Sequence, residues 1–105
     1  MEGHSLISAD IIARYAEDAA LEVDGVRGFV TPERGKWRHR GARVTEGDGV
    51  ISVELHLDVD WGANVPAIGA AVQTRVAEYL GRMVDRAPAR VDVIVAGIGP
   101  PPEGT

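Results

Sequence analysis

No cysteine occurs in the 105 residues, which excludes thiol nucleophiles, disulfides and thiolate metal sites and suits a reducing compartment. No apolar run approaches the ~20 residues that a membrane-spanning helix needs. The opening MEGHSLIS lacks the basic and apolar blocks of a secretory signal. These absences predict a soluble, cytoplasmic chain. Missing too are the G-x-x-x-x-G-K-[ST] of a phosphate-binding loop and any serine in a G-x-S-x-G context. No internal repeat is visible.

Acids are absent from one stretch in particular. Arg34, Lys36, Arg38, Arg40 and Arg43 place five of the eleven basic residues in ten positions that hold no Asp or Glu. The net charge is −5, so the remainder of the chain carries −10. The molecule is expected to be electrostatically two-sided.

What is present is patterned. From Val50 to Trp61, Ile51, Val53, Leu55, Leu57, Val59 and Trp61 alternate with Ser52, Glu54, His56, Asp58 and Asp60, the period of a strand with one buried and one polar face. Asn64 can cap a following helix with Pro66 in its first turn, and Ile68, Val72, Val76, Tyr79, Leu80 and Met83 form its apolar stripe. Val91, Val93 and Val95 return to period two. Upstream, Ser8 is a fitting N-cap for a helix striped by Ile11, Ile12, Tyr15, Ala16, Ala19 and Val23 and stopped at Gly25. A short strand over Val26–Val30, a loop of Pro, Gly and charge, and a hairpin over residues 42–61 turning at Glu46–Gly49 complete the order α-β-β-β-α-β. This order predicts an α+β two-layer sandwich: a mostly antiparallel sheet of three or four strands with both helices on one face. Residues 1–99 are expected to form one domain with a basic insert over about 31–43, and residues 100–105 a flexible Pro/Gly tail.

The series DGVRG (Asp24 to Gly28), a polar insert, DVDWGANVPAI (Asp58 to Ile68), VQTRVAEYL (Val72 to Leu80) and VDVIVAGI (Val91 to Ile98) resembles the alkaline shock protein family, small envelope stress response proteins of Gram-positive bacteria. The likeness spans most of residues 7 to 98. It implies a non-catalytic cytoplasmic protein without cofactor or small-molecule substrate, which associates with itself or with a protein partner and reaches the membrane only through an anchor protein. The family offers no catalytic residues to carry over, and the arginine-rich insert is not part of its pattern.

Two groups are candidate interaction sites. Arg34, Lys36, Arg38, Arg40 and Arg43 surround Trp37, a composition that can hold phosphates or anionic headgroups while the indole stacks on a base or rests at a membrane interface. At about 1 kcal/mol per basic residue near an anionic surface, about 5 kcal/mol is the ceiling for such binding. The same insert can meet the acidic sheet face of a neighbouring copy, or remain a solvated loop whose arginines answer Glu54, Asp58 and Asp60. Glu54, His56, Asp58 and Asp60 form the second group. Strand neighbours at i and i+2 stand about 7 Å apart, too far for two ligands of one tetrahedral ion without special rotamers, so a solvated or partner-covered face is the expectation. Trp61, in phase with the buried set, is expected to cap the core beneath the second helix. Gly25 to Gly28 reads G-x-x-G, as in KH-type RNA-binding modules, but follows a helix and precedes a strand, which suits a C-cap and turn. A small nucleic-acid-binding module using the insert is the alternative function.

Overall fold

The computed structural model describes residues 8–31, 41–84 and 88–101. Helix α1 (Ala9–Leu21) opens at Ser8, whose Oγ accepts the Ile11 N–H at 3.2 Å. Its buried face is Ile12 with four alanines, Ala13, Ala16, Ala19 and Ala20. Gly25 then turns the chain at φ +98°, and a Cβ there would stand 2.6 Å from Ile68 Cδ1. Both the conformation and the space call for glycine.

Four strands follow: β1 (Val26–Phe29), β2 (Ala42–Gly47), β3 (Val50–Val59) and, after helix α2 (Val65–Met83), β4 (Arg90–Ile98). β2 and β3 form a hairpin with Gly47 opposite Val50. Its two loop residues, Asp48 at φ 52° and Gly49 at φ 76°, supply the positive φ pair that matches strand twist. Asn64 caps α2, its Oδ1 accepting the Ala67 N–H at 3.1 Å.

β3 is the centre of the sheet. β1 pairs antiparallel with Leu57–Val59 and β2 antiparallel with Val50–Leu55. Between them, Val30 N–H donates to His56 O at 3.0 Å and His56 N–H donates to Gly41 O at 2.9 Å. Both polar groups of one residue point to the same side of a strand, so β1 and β2 line a single edge of β3 in tandem. The chain leaves that edge after Val30 and returns at Gly41, at one rung. β4 occupies the other edge, parallel to β3, and α2 is the crossover that a parallel pair requires.

The alternation along β3 is realised in full: Ile51, Val53, Leu55, Leu57 and Val59 are buried beneath the two helices. α2 adds Ile68, Val72, Val76 and Leu80 to the same core, and Tyr15 meets Tyr79 edge to face at 5.8 Å between ring centroids. The α+β sandwich with two helices on one face is the observed architecture.

Three local expectations are corrected. Trp61 is 58% exposed rather than buried. β3 ends at Val59 because Asp60 N–H turns to Gly25 O at 2.9 Å and Gly62 takes φ +79°, so the strand phase is lost before the indole. Met83 is exposed, and Val84, four residues beyond Leu80, continues the buried stripe instead. Ile11 also lies outside the core, which α1 reaches through Ile12 and its alanines.

Candidate interaction face

The helices cover one side of the sheet, and among the described residues no element packs on the other. Ser52, Glu54, His56 and Asp58 project there from β3, each half-buried. Pair registers place Thr45 and Arg90 beside Ser52, Arg43 and Asp92 beside Glu54, Ile94 beside His56, and Gly28 and Gly97 beside Asp58. The Val30 backbone bonds to His56 on the remaining flank.

His56 sits at the middle of this face with a side chain only 18% exposed, and its Nε2 lies 2.7 Å from Glu54 Oε2. The two are i and i+2 on one strand, and the reach of the glutamate closes the separation that strand spacing alone leaves open. Arg27 Nη1 stands 3.8 Å from Asp58 Oδ2, and Arg90 Nε lies 3.0 Å from Asp92. The face is therefore not the acidic surface its central strand suggests. Arg27, Arg43 and Arg90 are interspersed with Glu54, Asp58 and Asp92. Solvent-exposed pairs of this kind contribute about 0–1 kcal/mol each, and their effect is to leave a charge-balanced surface around apolar Val30 and Ile94.

Asp60, expected on this face, stands beyond the end of β3 where the backbone turns to Gly25. Arg43 is on β2, exposed, in register with Glu54. Arg34, Lys36, Trp37, Arg38 and Arg40 lie outside the described residues. Val30, Arg27, Asp92 and Ile94 were not singled out from sequence. The alternation of β4 marks Asp92 and Ile94 as partners of the polar face, but only the register shows that they flank Glu54 and His56. No group of three His, Asp or Glu able to hold a metal ion occurs among the described residues. On the helix side, the α1 C-terminus and the first turns of α2 enclose an open groove of about 580 Å³, with Glu22, Gly25, Asn64, Ile68 and Arg75 among its walls. Glu22 Oε1 and Arg75 Nη1 meet across it at 2.6 Å. Gly25 leads into β1 and not into a second helix, which removes the KH-type reading of Gly25–Gly28. Among the described residues no helix is long and apolar enough to cross a membrane.

Comparison with known proteins places this architecture. A family model described as the alkaline shock protein 23 family, of cell envelope-related function, matches residues 1–100. The chain is similar to the uncharacterized protein YqhY of Bacillus subtilis (strain 168), with 33% identity over 100 residues that span 88% of this chain and 74% of that protein. Among solved structures it is similar to a MamM-CTD variant at TM-score 0.64 and 22% identity, covering 89% of this chain and 100% of the other. A cadmium form of another MamM CTD variant gives TM-score 0.62 at 24% identity, over 86% and 98% of the two chains. At these identities the structural likeness speaks for the fold alone.

Proposed function

We propose that this chain, which belongs to the alkaline shock protein 23 family, acts as a non-catalytic interaction module in the cytoplasm and serves the envelope stress response by holding a protein partner. The observation that carries the reading is the shared rung at His56. Because Val30 and Gly41 both bond to it, the two ends of the basic insert of about residues 31–43 meet the sheet at the rung that carries the centre of its polar face. A partner seated on that face covers Val30, His56 and Ile94 and meets charged pairs at the rim. Arg34, Lys36, Arg38, Arg40 and Arg43, with Trp37, supply a positive flank that steers an acidic partner and makes its association salt-dependent. Membrane proximity comes through an anchor partner and not through this chain.

The experiment is affinity capture from a lysate of the source organism with three baits: wild type, His56→Ala/Arg43→Glu, and Arg38→Glu/Arg40→Glu. A discrete protein held by wild type and lost with the first pair supports the reading. Equal retention by all three baits refutes it. The nucleic-acid alternative rests on the same basic cluster and on Arg43 being exposed at its C-terminal root. Salt-sensitive binding of single-stranded RNA or DNA that Arg38→Glu/Arg40→Glu abolishes would favour it over the protein-partner reading.

A further inference from the structure

The two edges of the sheet are unlike. The β1–β2 edge is interrupted by the excursion at residues 31–40, kinked by a register shift between Val26 and Gly28, and lined by exposed Arg27 and Arg43. Interruptions, bulges and charges are the devices that keep an edge from pairing with another chain. The middle of β4 has few of them. From Val91 to Val95 it is a regular ladder on β3, with a register shift only beyond Val95 at Ala96, no proline and no lysine, and its Ile94 is 40% exposed.

The orientation of its free groups follows from hydrogen-bond parity. His56 spends its N–H and C=O on the β1–β2 side, so the odd-numbered residues of β3 face β4. With Val53 opposite Val91 and Leu55 opposite Val93, parallel pairing engages the even-numbered residues of β4. The N–H and C=O of Val91, Val93 and Val95 then point away from the sheet. Gln73 marks that side, its Nε2 donating to Val91 O at 3.0 Å from α2. Among the described residues nothing bonds the outward groups of Val93 and Val95.

We infer that β4 pairs antiparallel with β4 of a second copy about a twofold axis at Ile94, joining two sheets into one and closing the assembly at a dimer. The free backbone groups select this register. Val93 faces Val95 of the copy and Val95 faces Val93, each pair exchanging both backbone bonds, which are the groups left free. A twofold at Val93 instead needs the Val91 carbonyl that Gln73 already occupies, and one at Asp92 sets two carboxylates directly opposite, which is destabilising. At Ile94 the two isoleucines meet on the open face, and the pairing is confined to the regular stretch that ends before the register shift at Ala96. The contact is isologous and consumes the regular edge of each copy, so the broken β1–β2 edges do not extend it into a filament. It rests on the interaction reading above and assigns one partner, the chain itself, to a surface distinct from the insert.

The test uses the absence of native cysteine. Directly opposite residues at a non-hydrogen-bonded position stand about 4.5 Å apart at Cα, within disulfide reach. Ile94→Cys is expected to crosslink quantitatively to a dimer under mild oxidation, while Val50→Cys, exposed on the hairpin, does not. By sedimentation at about 100 μM, far above a micromolar Kd, wild type is expected at twice 11.2 kDa. Ile94→Lys and Ile94→Glu are each expected at half that mass, and their equimolar mixture back at the dimer, because only a twofold at residue 94 sets it against itself. A wild-type monomer, a dimer indifferent to Ile94→Lys, or a mixture that stays monomeric overturns the inference. His56→Ala/Arg43→Glu changes neither Ile94 nor the β4 edge and is expected to remain a dimer while losing the captured partner, so the two readings fail separately.

Discussion

Replacing Gly41 by alanine adds one methyl group at the rung where the chain rejoins the sheet, and the surroundings determine its cost. Gly41 is buried, its N–H donates to Glu17 Oε2 at 3.3 Å, and its carbonyl accepts the His56 N–H at 2.9 Å. A Cβ would overlap the Phe29 Cβ and approach ring carbons of Phe29 at 2.5 and 2.6 Å. Rotating the phenylalanine does not clear the overlap, because its own Cβ is fixed to β1. The backbone of β1 or β2 must therefore shift on β3. Overpacking costs about 1–3 kcal/mol, and a clash against a backbone-fixed atom belongs in the upper part of that range. A loss of about 2–3 kcal/mol lowers the folding constant about 30- to 150-fold and the melting temperature by about 8–20 °C. Chemical denaturation followed by circular dichroism measures it. Gly47→Ala, where nothing lies within 4 Å of the added carbon, is the control and is expected within about 0.5 kcal/mol of wild type. Phe29→Gly, which removes that Cβ, should relieve Gly41→Ala, so the double variant is expected to cost at least about 1 kcal/mol less than the sum of the singles. A Gly41→Ala protein as stable as the Gly47→Ala control, or strict additivity with Phe29→Gly, would refute the packing argument.

Other outcomes follow from the same contacts. Leu55→Ala, at a side chain with no exposed surface, should cost about 3–5 kcal/mol in the same denaturation assay, and a loss below 1 kcal/mol would mean the site collapses freely. Asn64→Ala removes the cap of α2 and is expected to cost about 1 kcal/mol, with Asn64→Ser restoring most of it. Trp61→Ala should change stability by no more than about 0.5 kcal/mol. In a Trp37→Phe background the fluorescence of Trp61 should be red-shifted and readily quenched by acrylamide, whereas blue-shifted, protected emission would place the indole in the core after all.

Much of the architecture was legible because burial leaves a period in the chain. The unbroken alternation through β3 announced a half-buried strand, Ser8 and Asn64 announced the two helix starts, and Glu46–Gly49 announced a turn, since each signal arises from contacts within a few residues. The errors sit where a distant residue intervenes. Trp61 keeps the phase of β3 on paper, but the bond from Asp60 to Gly25 ends the strand first. Met83 belongs to the helix stripe by spacing, yet Val84 is the residue that reaches the core.

The candidate site divides along the same line. Chain pattern alone determined that Glu54, His56 and Asp58 share a polar face and that a basic segment interrupts the first part of the sheet, because side-chain alternation and charge clustering are properties of neighbours in sequence. Only the tertiary structure decided that Arg27 and Arg90 reach Asp58 and Asp92, that the insert is rooted opposite His56, and that β4 turns the backbone of Val93 and Val95 to an open edge. Strand order and register set those relations, and they bring together residues tens of positions apart whose spacing in the chain carries no trace of their proximity.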